Sequence, residues 1–126
     1  MKIDSHIVFL ATSDLPRTGD FYEKTLGLPL ALDQGKCRIY RVAENGFIGF
    51  CEQVDPPSVE GVIITIVTQE VDEYSNLLRE RGVVLEKDPT FNAQYRIYHC
   101  LLRDPNGYLV EIQRFEDPRW KDNTES

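Results

Sequence analysis

The sequence lacks several features that mark well-defined classes of protein. It contains no run of basic residues, and its formal net charge is −7. Nucleic acids and anionic lipid surfaces are bound through clusters of lysine and arginine, so neither is an expected partner. No stretch of about 18 consecutive apolar residues occurs, so no segment is expected to span a membrane.

Cysteine is also scarce. The three cysteines, Cys37, Cys51 and Cys100, form no CxxC pair. An odd number without that spacing fits reduced cytosolic thiols better than a disulfide framework. The N-terminal segment has only a short apolar stretch, residues 7–11, and no clear cleavage site, which predicts a first strand rather than a signal peptide. We therefore expect a cytoplasmic protein.

What is present indicates one domain. The chain has 126 residues, of which 41% are apolar and 28% are charged. This is enough for one well-packed core and too little for two ordinary domains.

The first half of the chain predicts a strand, a helix and three more strands. The strand at 6–11 precedes a helix over 13–27, which Ser13 or Asp14 caps and Gly27 ends. Strands are predicted at 28–32, 37–43 and 46–52, with a tight hairpin turn at Asn45-Gly46 joining the last two. The apolar face of the helix, at helical spacing, consists of Leu15, Thr18, Tyr22 and Leu26.

The second half repeats this order. A strand at 61–68 precedes a helix over 69–82, followed by strands at 83–88, 95–103 and 108–115, with a turn at Asn106-Gly107. The helix stops at Gly82, and its predicted buried face consists of Val71, Tyr74, Leu78 and Arg81. The segment Arg38-Ile39-Tyr40 recurs as Arg96-Ile97-Tyr98, about 60 residues later. A repeat of that length, present twice, indicates two pseudo-symmetric units.

The expected boundaries follow from this repeat. Unit one covers about 2–53, a linker with Pro56-Pro57 covers about 53–60, and unit two covers about 61–115, all within one domain at 1–115. The polar tail at 116–126 is predicted to be frayed, with Trp120 able to dock on the body.

Two βαβββ units, a helix reading "FYEKTLGL" and a closing "DPNGYLVEI" resemble the vicinal oxygen chelate superfamily, which includes glyoxalase I, bleomycin-resistance proteins and extradiol dioxygenases. The resemblance covers roughly residues 2–115. It implies an α+β fold with two curled mixed sheets, a concave ligand cup and frequent dimers, so we expect a homodimer. It does not specify a reaction, because this superfamily supports several chemistries on one scaffold.

The resemblance also implies four metal-ligand positions, on the first and last strand of each unit. Glu111 matches the last strand of unit two. The equivalent residue in unit one is Phe50, and the first strand of unit two offers Ile64 with Thr65 beside it; none of these is a usual ligand.

The fourth position depends on the first strand. Family sequences place a histidine seven residues before the helix-capping aspartate, whereas His6 lies eight before Asp14, so the count falls on Ile7. A bulge near Phe9 or Leu10 would return His6 to the inner face. Even then only His6 and Glu111 remain, fewer than the three protein ligands of a typical catalytic zinc.

Strand alternation and tight turns predict the other pocket residues, with the alternative that "RDPNG" closes the second hairpin with a longer turn. Glu111 shares its face with Leu109 and Gln113, while His99 points to the helix side. The predicted apolar pocket with a few polar groups comprises Ile39, Arg41, Ile48, Phe50, Ile64, Tyr98, Cys100, Leu109, Glu111 and Gln113. Arg41 and Glu111 have the alternative of pairing as a structural salt bridge.

Three functions compete at this point. The first is a small-molecule-binding protein of the bleomycin-resistance kind, with a degenerate metal site and no cofactor. The second is a lyase or isomerase of the glyoxalase I type that uses Zn, Ni, Fe or Mn. The third is metal-free catalysis with Glu111 as a general base. The partner in each case is a small organic molecule, and the sequence does not decide whether the protein is an enzyme.

Overall fold

The computed structural model describes residues 1–120. These residues form two compact units. Unit 1 comprises residues 1–62 and the loop 104–108, and unit 2 comprises residues 63–103 and 109–120. The predicted fraying of the tail beyond Trp120 lies outside the described residues.

Unit 1 contains one four-stranded mixed sheet and a short helical region. Its elements are β1 (His6–Thr12), α1 (Leu15–Asp20), a π-helical segment (Phe21–Thr25), β2 (Leu30–Asp33), β3 (Cys37–Ala43) and β4 (Gly46–Glu52). The strand order is β1-β4-β3-β2. β1 runs parallel to β4, and the other neighbours are antiparallel.

Unit 2 has the same connectivity. Its elements are β5 (Ile63–Val67), α2 (Val71–Glu80), β6 (Lys87–Asn92), β7 (Ile97–Arg103) and β8 (Leu109–Phe115). The strand order is β5-β8-β7-β6, with β5 parallel to β8. The predicted α+β fold of two βαβββ units with mixed sheets is confirmed.

The helices begin and end where the sequence predicts. Asp14 caps α1 by accepting a hydrogen bond from the Arg17 amide, and Pro16 lies in its first turn, where no N–H is needed. The predicted face is buried at Leu15, Thr18, Tyr22 and Leu26. In α2, Val71 and Leu78 are fully buried and Tyr74 is half-buried, but the prediction is wrong for Arg81, which is exposed and follows the last residue of the helix. Gly82, which has a positive φ, follows the last turn of α2.

The strand predicted at 83–88 is wrong. β6 begins only at Lys87, and Val84 is almost fully exposed. Pro89 has no N–H to donate, and the pairing of β6 with β7 shifts register between Lys87 and Thr90. An edge strand tolerates such a proline, because one side of it has no neighbouring strand.

The prediction of reduced thiols is wrong for two of the three cysteines. Cys37 on β3 and Cys51 on β4 are directly paired across the sheet and form a disulfide. The number and spacing of cysteines carry no information about strand register, which brings these two side chains together. Cys100 is a free, buried cysteine. The cytoplasmic location loses this support and stays a prediction.

Two further expectations concern the surface and the tail. Within residues 1–120, no helix is long and apolar enough to cross a bilayer. Trp120 stacks on Phe115 with ring centroids 4.1 Å apart. The described start of the tail therefore packs on unit 2.

Candidate functional site

The loop between β7 and β8 determines which residues surround Glu111. The strands close at the pair Arg103 and Leu109, so the loop runs from Asp104 to Tyr108 rather than over Asn106-Gly107 alone. Asp104 holds it: Oδ1 accepts hydrogen bonds from the amides of Asn106 (2.8 Å) and Tyr108 (2.9 Å). This loop has an odd number of residues, which reverses the side-chain pairing that a two-residue turn would give.

The predicted positions of Tyr98 and Cys100 beside Glu111 are therefore wrong. Glu111 is opposite Leu101, and His99 is opposite Gln113. Tyr98 lies on the other face, where its hydroxyl donates to the Asp72 carboxylate of α2 at 2.6 Å. Cys100 is fully buried on that same face, and burial raises the pKa of its thiol to about 11. The prediction that His99 points to the helix side is wrong for the same reason.

Glu111 lies on the face of the unit 2 sheet opposite α2, which we call the helix-free face of unit 2. One carboxylate oxygen accepts a hydrogen bond from the Thr65 hydroxyl at 3.0 Å. The other lies 2.7 Å from Nδ1 of His99. The side chains of His99 and Glu111 are only 7% and 15% exposed.

The first strand of unit 2 presents Thr65, not Ile64, on this face. Thr65 pairs with Glu111 and Ile64 pairs with Val110, which is fully buried on the side of α2. The predicted pocket position of Ile64 is therefore wrong. Leu109 and Gln113 alternate with Val110 and Ile112 and share the face of Glu111.

In unit 1 the hairpin turn also differs from the prediction. The strands close at Ala43 and Gly46, and a bulge lies between Arg41 and Ala43. Ile48 is consequently opposite Tyr40, so the expected sharing of one face with Ile39 and Arg41 is wrong.

Phe50 belongs to the core of unit 1. It is opposite Arg38 on β3, and its ring lies 4.6 Å from that of Tyr22 in the π-helical segment. The predicted pocket positions of Phe50 and of Ile48, which is buried on the same face, are wrong. The guanidinium of Arg41 lies over the Phe47 ring and donates to the Glu44 carbonyl.

The β-bulge that would turn His6 to the inner face is absent from β1. β1 and β4 pair without interruption from His6 to Thr12. His6 and Thr12 therefore lie on the same face of β1, and the Thr12 hydroxyl contacts the Thr18 hydroxyl of α1 at 2.9 Å. This is the helix side of the sheet, so His6 is not on the inner face that a ligand requires.

The donor set does not fit the divalent metal ion that the resemblance implies. No group of three or more His, Cys, Asp or Glu side chains within residues 1–120 is arranged to hold a metal ion. Both oxygens of Glu111 already accept hydrogen bonds or contact an imidazole.

Unit 1 contains a cavity of about 390 Å³ at the end of β1. Phe9, Ala11 and Tyr108 give it apolar walls, and Gln53 and Ser58 add polar groups. Tyr108 is fixed there, because its hydroxyl donates to the Ala11 carbonyl at 2.8 Å. Sequence reasoning did not find this cavity, which depends on the packing of the 104–108 loop.

Comparison with known proteins places these observations in context. The family model described as "Glyoxalase/Bleomycin resistance protein/Dioxygenase superfamily" matches residues 5–112. No curated protein gives a significant match.

Solved structures share the fold at low identity. A glyoxalase/bleomycin resistance protein/dioxygenase from Nocardioides is 16% identical, with TM-score 0.76 and coverage of 97% of this chain and 89% of that one. An integron cassette protein from the mobile metagenome of V. cholerae is 23% identical, with TM-score 0.72 and coverage of 91% and 98%. A lactoylglutathione lyase from Agrobacterium tumefaciens is 18% identical, with TM-score 0.74 and coverage of 90% and 95%.

Proposed function

Because the chain belongs to the glyoxalase/bleomycin resistance protein/dioxygenase superfamily, we propose that it binds a small organic molecule on the helix-free face of unit 2 without a resident metal ion. One observation carries this proposal. The Glu111 carboxylate, at the family's metal-ligand position, is engaged by Thr65 and His99 within its own sheet. Glu111 is therefore part of a hydrogen-bonded cluster with Thr65 and His99, and this cluster orients the ligand.

The surroundings of this cluster suit an organic ligand. Ile63 and Val67 flank Thr65 on the same face of β5, and they are 59% and 47% exposed. Leu109 on the same strand and Leu101 on the neighbouring strand β7 share the face of Glu111. Ligand sites are commonly apolar surfaces with a few convergent polar groups, which is the composition found here.

The alternative function is a lyase or isomerase of the glyoxalase type that uses Zn, Ni, Fe or Mn. It is favoured by the orientation of Glu111 away from α2 and by a fold similar to that of a protein described as lactoylglutathione lyase. Against it stands the shortage of ligands, since Thr65 rather than a usual ligand lies beside Glu111 on β5, and Phe50 and His6 are on the helix side of the unit 1 sheet. Metal-free catalysis with Glu111 as the base is a third possibility within the same site.

A metal titration separates the first two functions. A ligand that binds only the folded state adds RT ln(1 + [L]/Kd), so a micromolar site at millimolar metal stabilises by about 4 kcal/mol. For a domain of this size that is a rise in Tm of roughly 10 °C or more. We expect protein purified without chelator to hold far less than one equivalent of metal and Tm to change little.

The matched variant is Glu111→Gln, which keeps the shape of the side chain and removes its charge. Near-stoichiometric metal in the wild type, lost together with the Tm shift in this variant, would establish the metal-dependent alternative.

We also propose that the protein is a homodimer. β1 is an edge strand of its sheet and carries the exposed apolar side chains of Val8 and Phe9. Natural proteins usually cover such edges.

A further inference from the structure

His99, which contacts Glu111, has a second ring nitrogen that makes no hydrogen bond within the cluster. The His99 ring approaches Glu111 through Nδ1. Its other nitrogen, Nε2, is buried and has no hydrogen-bond partner among residues 1–120. Buried polar atoms without a partner are rare in folded proteins, and each one requires an explanation.

The contacts of Glu111 assign the hydrogen on this ring. An ionised carboxylate offers only lone pairs, and here one oxygen accepts from Thr65 and the other faces Nδ1. Nδ1 must therefore carry the hydrogen, and a neutral imidazole then has its lone pair on Nε2. A doubly protonated ring would instead bury a charged N–H group without an acceptor, which is costly.

We infer that Nε2 of His99 is the recognition atom of the site and accepts a hydrogen bond from an N–H or O–H group of the bound molecule. The inference rests on the proposed function, because it names the ligand chemistry of the same face. Glu111 and Thr65 are positioning residues here, since they fix the tautomer and the ring orientation. His99 is the residue that contacts the ligand, and because its Nε2 is buried in the free protein, the side chains that cover it must move on binding.

The surroundings specify the class of ligand further. The neighbours of His99 on this face include Leu101 on its own strand and the uncharged Gln113 opposite. A buried lone pair among such groups favours a neutral donor on an apolar body. Ionised carboxylates, which offer only lone pairs, are not ligands for this atom.

The first test uses the unliganded protein. The chain has only two histidines, His6 and His99, so both imidazoles are resolved in a ¹⁵N-histidine NMR spectrum. We expect His99 to show a protonated Nδ1 and an unprotonated Nε2 at neutral pH, with the exposed His6 as the reference. A protonated Nε2 would overturn the inference. In Glu111→Leu the preference for the Nδ1–H tautomer should be lost.

The second test compares indole with benzofuran, which has nearly the same shape but an oxygen in place of the N–H. We expect indole to bind at least about tenfold more tightly, because only indole satisfies Nε2, and to shift its ¹⁵N resonance. His99→Phe should remove the difference, with folding checked by circular dichroism. Should that variant not fold, the wild-type Nε2 shift with indole alone decides the question.

The outcomes separate the inference from the proposed function. Equal binding of the two probes on this face would overturn the role of Nε2 and leave small-molecule binding intact. No binding of either probe at millimolar concentration would overturn the inference. Binding of stoichiometric metal through Glu111 would overturn the proposed function itself.

Discussion

At the scale of single residues, Asp104 is the buried carboxylate that holds the 104–108 loop. It is 5% exposed, and besides the two loop amides it accepts a hydrogen bond from the Tyr22 hydroxyl at 2.9 Å. Burial raises the pKa of its carboxyl group, and the hydrogen bonds from Tyr22, Tyr108 and Asn106 partly oppose that rise. The loop that orients Glu111 is therefore held by a carboxylate whose charged form is costly to bury.

This cost predicts a pH dependence of stability. The folded-state pKa of Asp104 lies above the ordinary value of 3.8. Its contribution to the free energy of unfolding is therefore fully present below pH 3.8 and is lost as pH rises through the folded-state pKa. The free energy of unfolding of the wild type should fall, relative to that of Asp104→Asn, by no more than about 1.4 kcal/mol per pH unit in this window. Urea denaturation at several pH values measures it.

The control for this experiment is Asp55→Asn, which removes an exposed carboxylate. Its unfolding free energy should follow that of the wild type across the window. Parallel curves for wild type and Asp104→Asn would contradict the prediction.

Cys100 gives a second prediction at this scale. Since burial raises the pKa of its thiol to about 11, little thiolate forms near neutral pH, and the native protein should react with iodoacetamide only very slowly. Mass spectrometry of protein unfolded without reductant should find one labelled cysteine, and reduction should expose Cys37 and Cys51 as well. Rapid labelling of the native protein, or three labels without reductant, would show that this account of the cysteines is wrong.

At the scale of elements, the sequence predicted strands better than it predicted their faces. β3 and β4 have the predicted bounds because their apolar runs end at turn residues. The side-chain pairing across each hairpin depends on the length of the turn, and both turns differ from the expected one. The 104–108 loop is held by hydrogen bonds from the Asn106 and Tyr108 amides to Asp104, which a two-residue turn at Asn106-Gly107 does not contain, and Tyr22 adds a third from a distant part of unit 1.

The neighbours of Glu111 in the candidate site also depend on strand register. The orientation of Glu111 follows from alternation and from the family resemblance, and the structure has it facing away from α2. Thr65 and His99 become its neighbours only through the registers of β5 and β7 against β8. The proline and the aspartate of "DPNGY" were the available signal for a longer loop, because Asp side chains commonly bond to amides two residues on.

Gly19 of α1 tests how closely the helix packs on its sheet. A Cβ atom there would lie 2.6 Å from the Tyr40 hydroxyl oxygen and 2.7 Å from Nη1 of Arg38. Arg38 has a flexible end, but Tyr40 is fully buried and cannot move freely. We expect Gly19→Ala to lower the unfolding free energy by about 2 kcal/mol, despite the higher helix propensity of alanine.

Chemical denaturation checks this value, and Gly46→Ala is the matched control. The nearest atom to a Cβ at Gly46 is the Cβ of Ala43, at an ordinary contact distance of 3.8 Å. A Gly19→Ala protein as stable as the wild type would mean that α1 packs less closely than described.

At the scale of the whole molecule, the two units have one topology but have diverged in composition. In unit 2 the last strand carries Glu111 in a polar cluster, whereas in unit 1 the last strand carries Phe50, which packs with Tyr22 and Tyr108 in an aromatic core. The exposed apolar residues of the first strands are common to both: Val8 and Phe9 on β1, and Ile63 and Val67 on β5. With a net charge of −7, long-range repulsion favours separate chains, so association requires an apolar surface of this kind.

The last prediction concerns this surface. We expect light scattering at micromolar concentration to give about twice the chain mass of 14.5 kDa. Phe9 is 50% exposed on the edge strand β1, so Phe9→Lys should place a charge in the interface and shift the mass toward that of the monomer. Val84→Lys makes the same change of charge at an exposed loop residue and should leave the dimer intact. A monomeric wild type, or equal dissociation of the two variants, would remove β1 as the dimer surface.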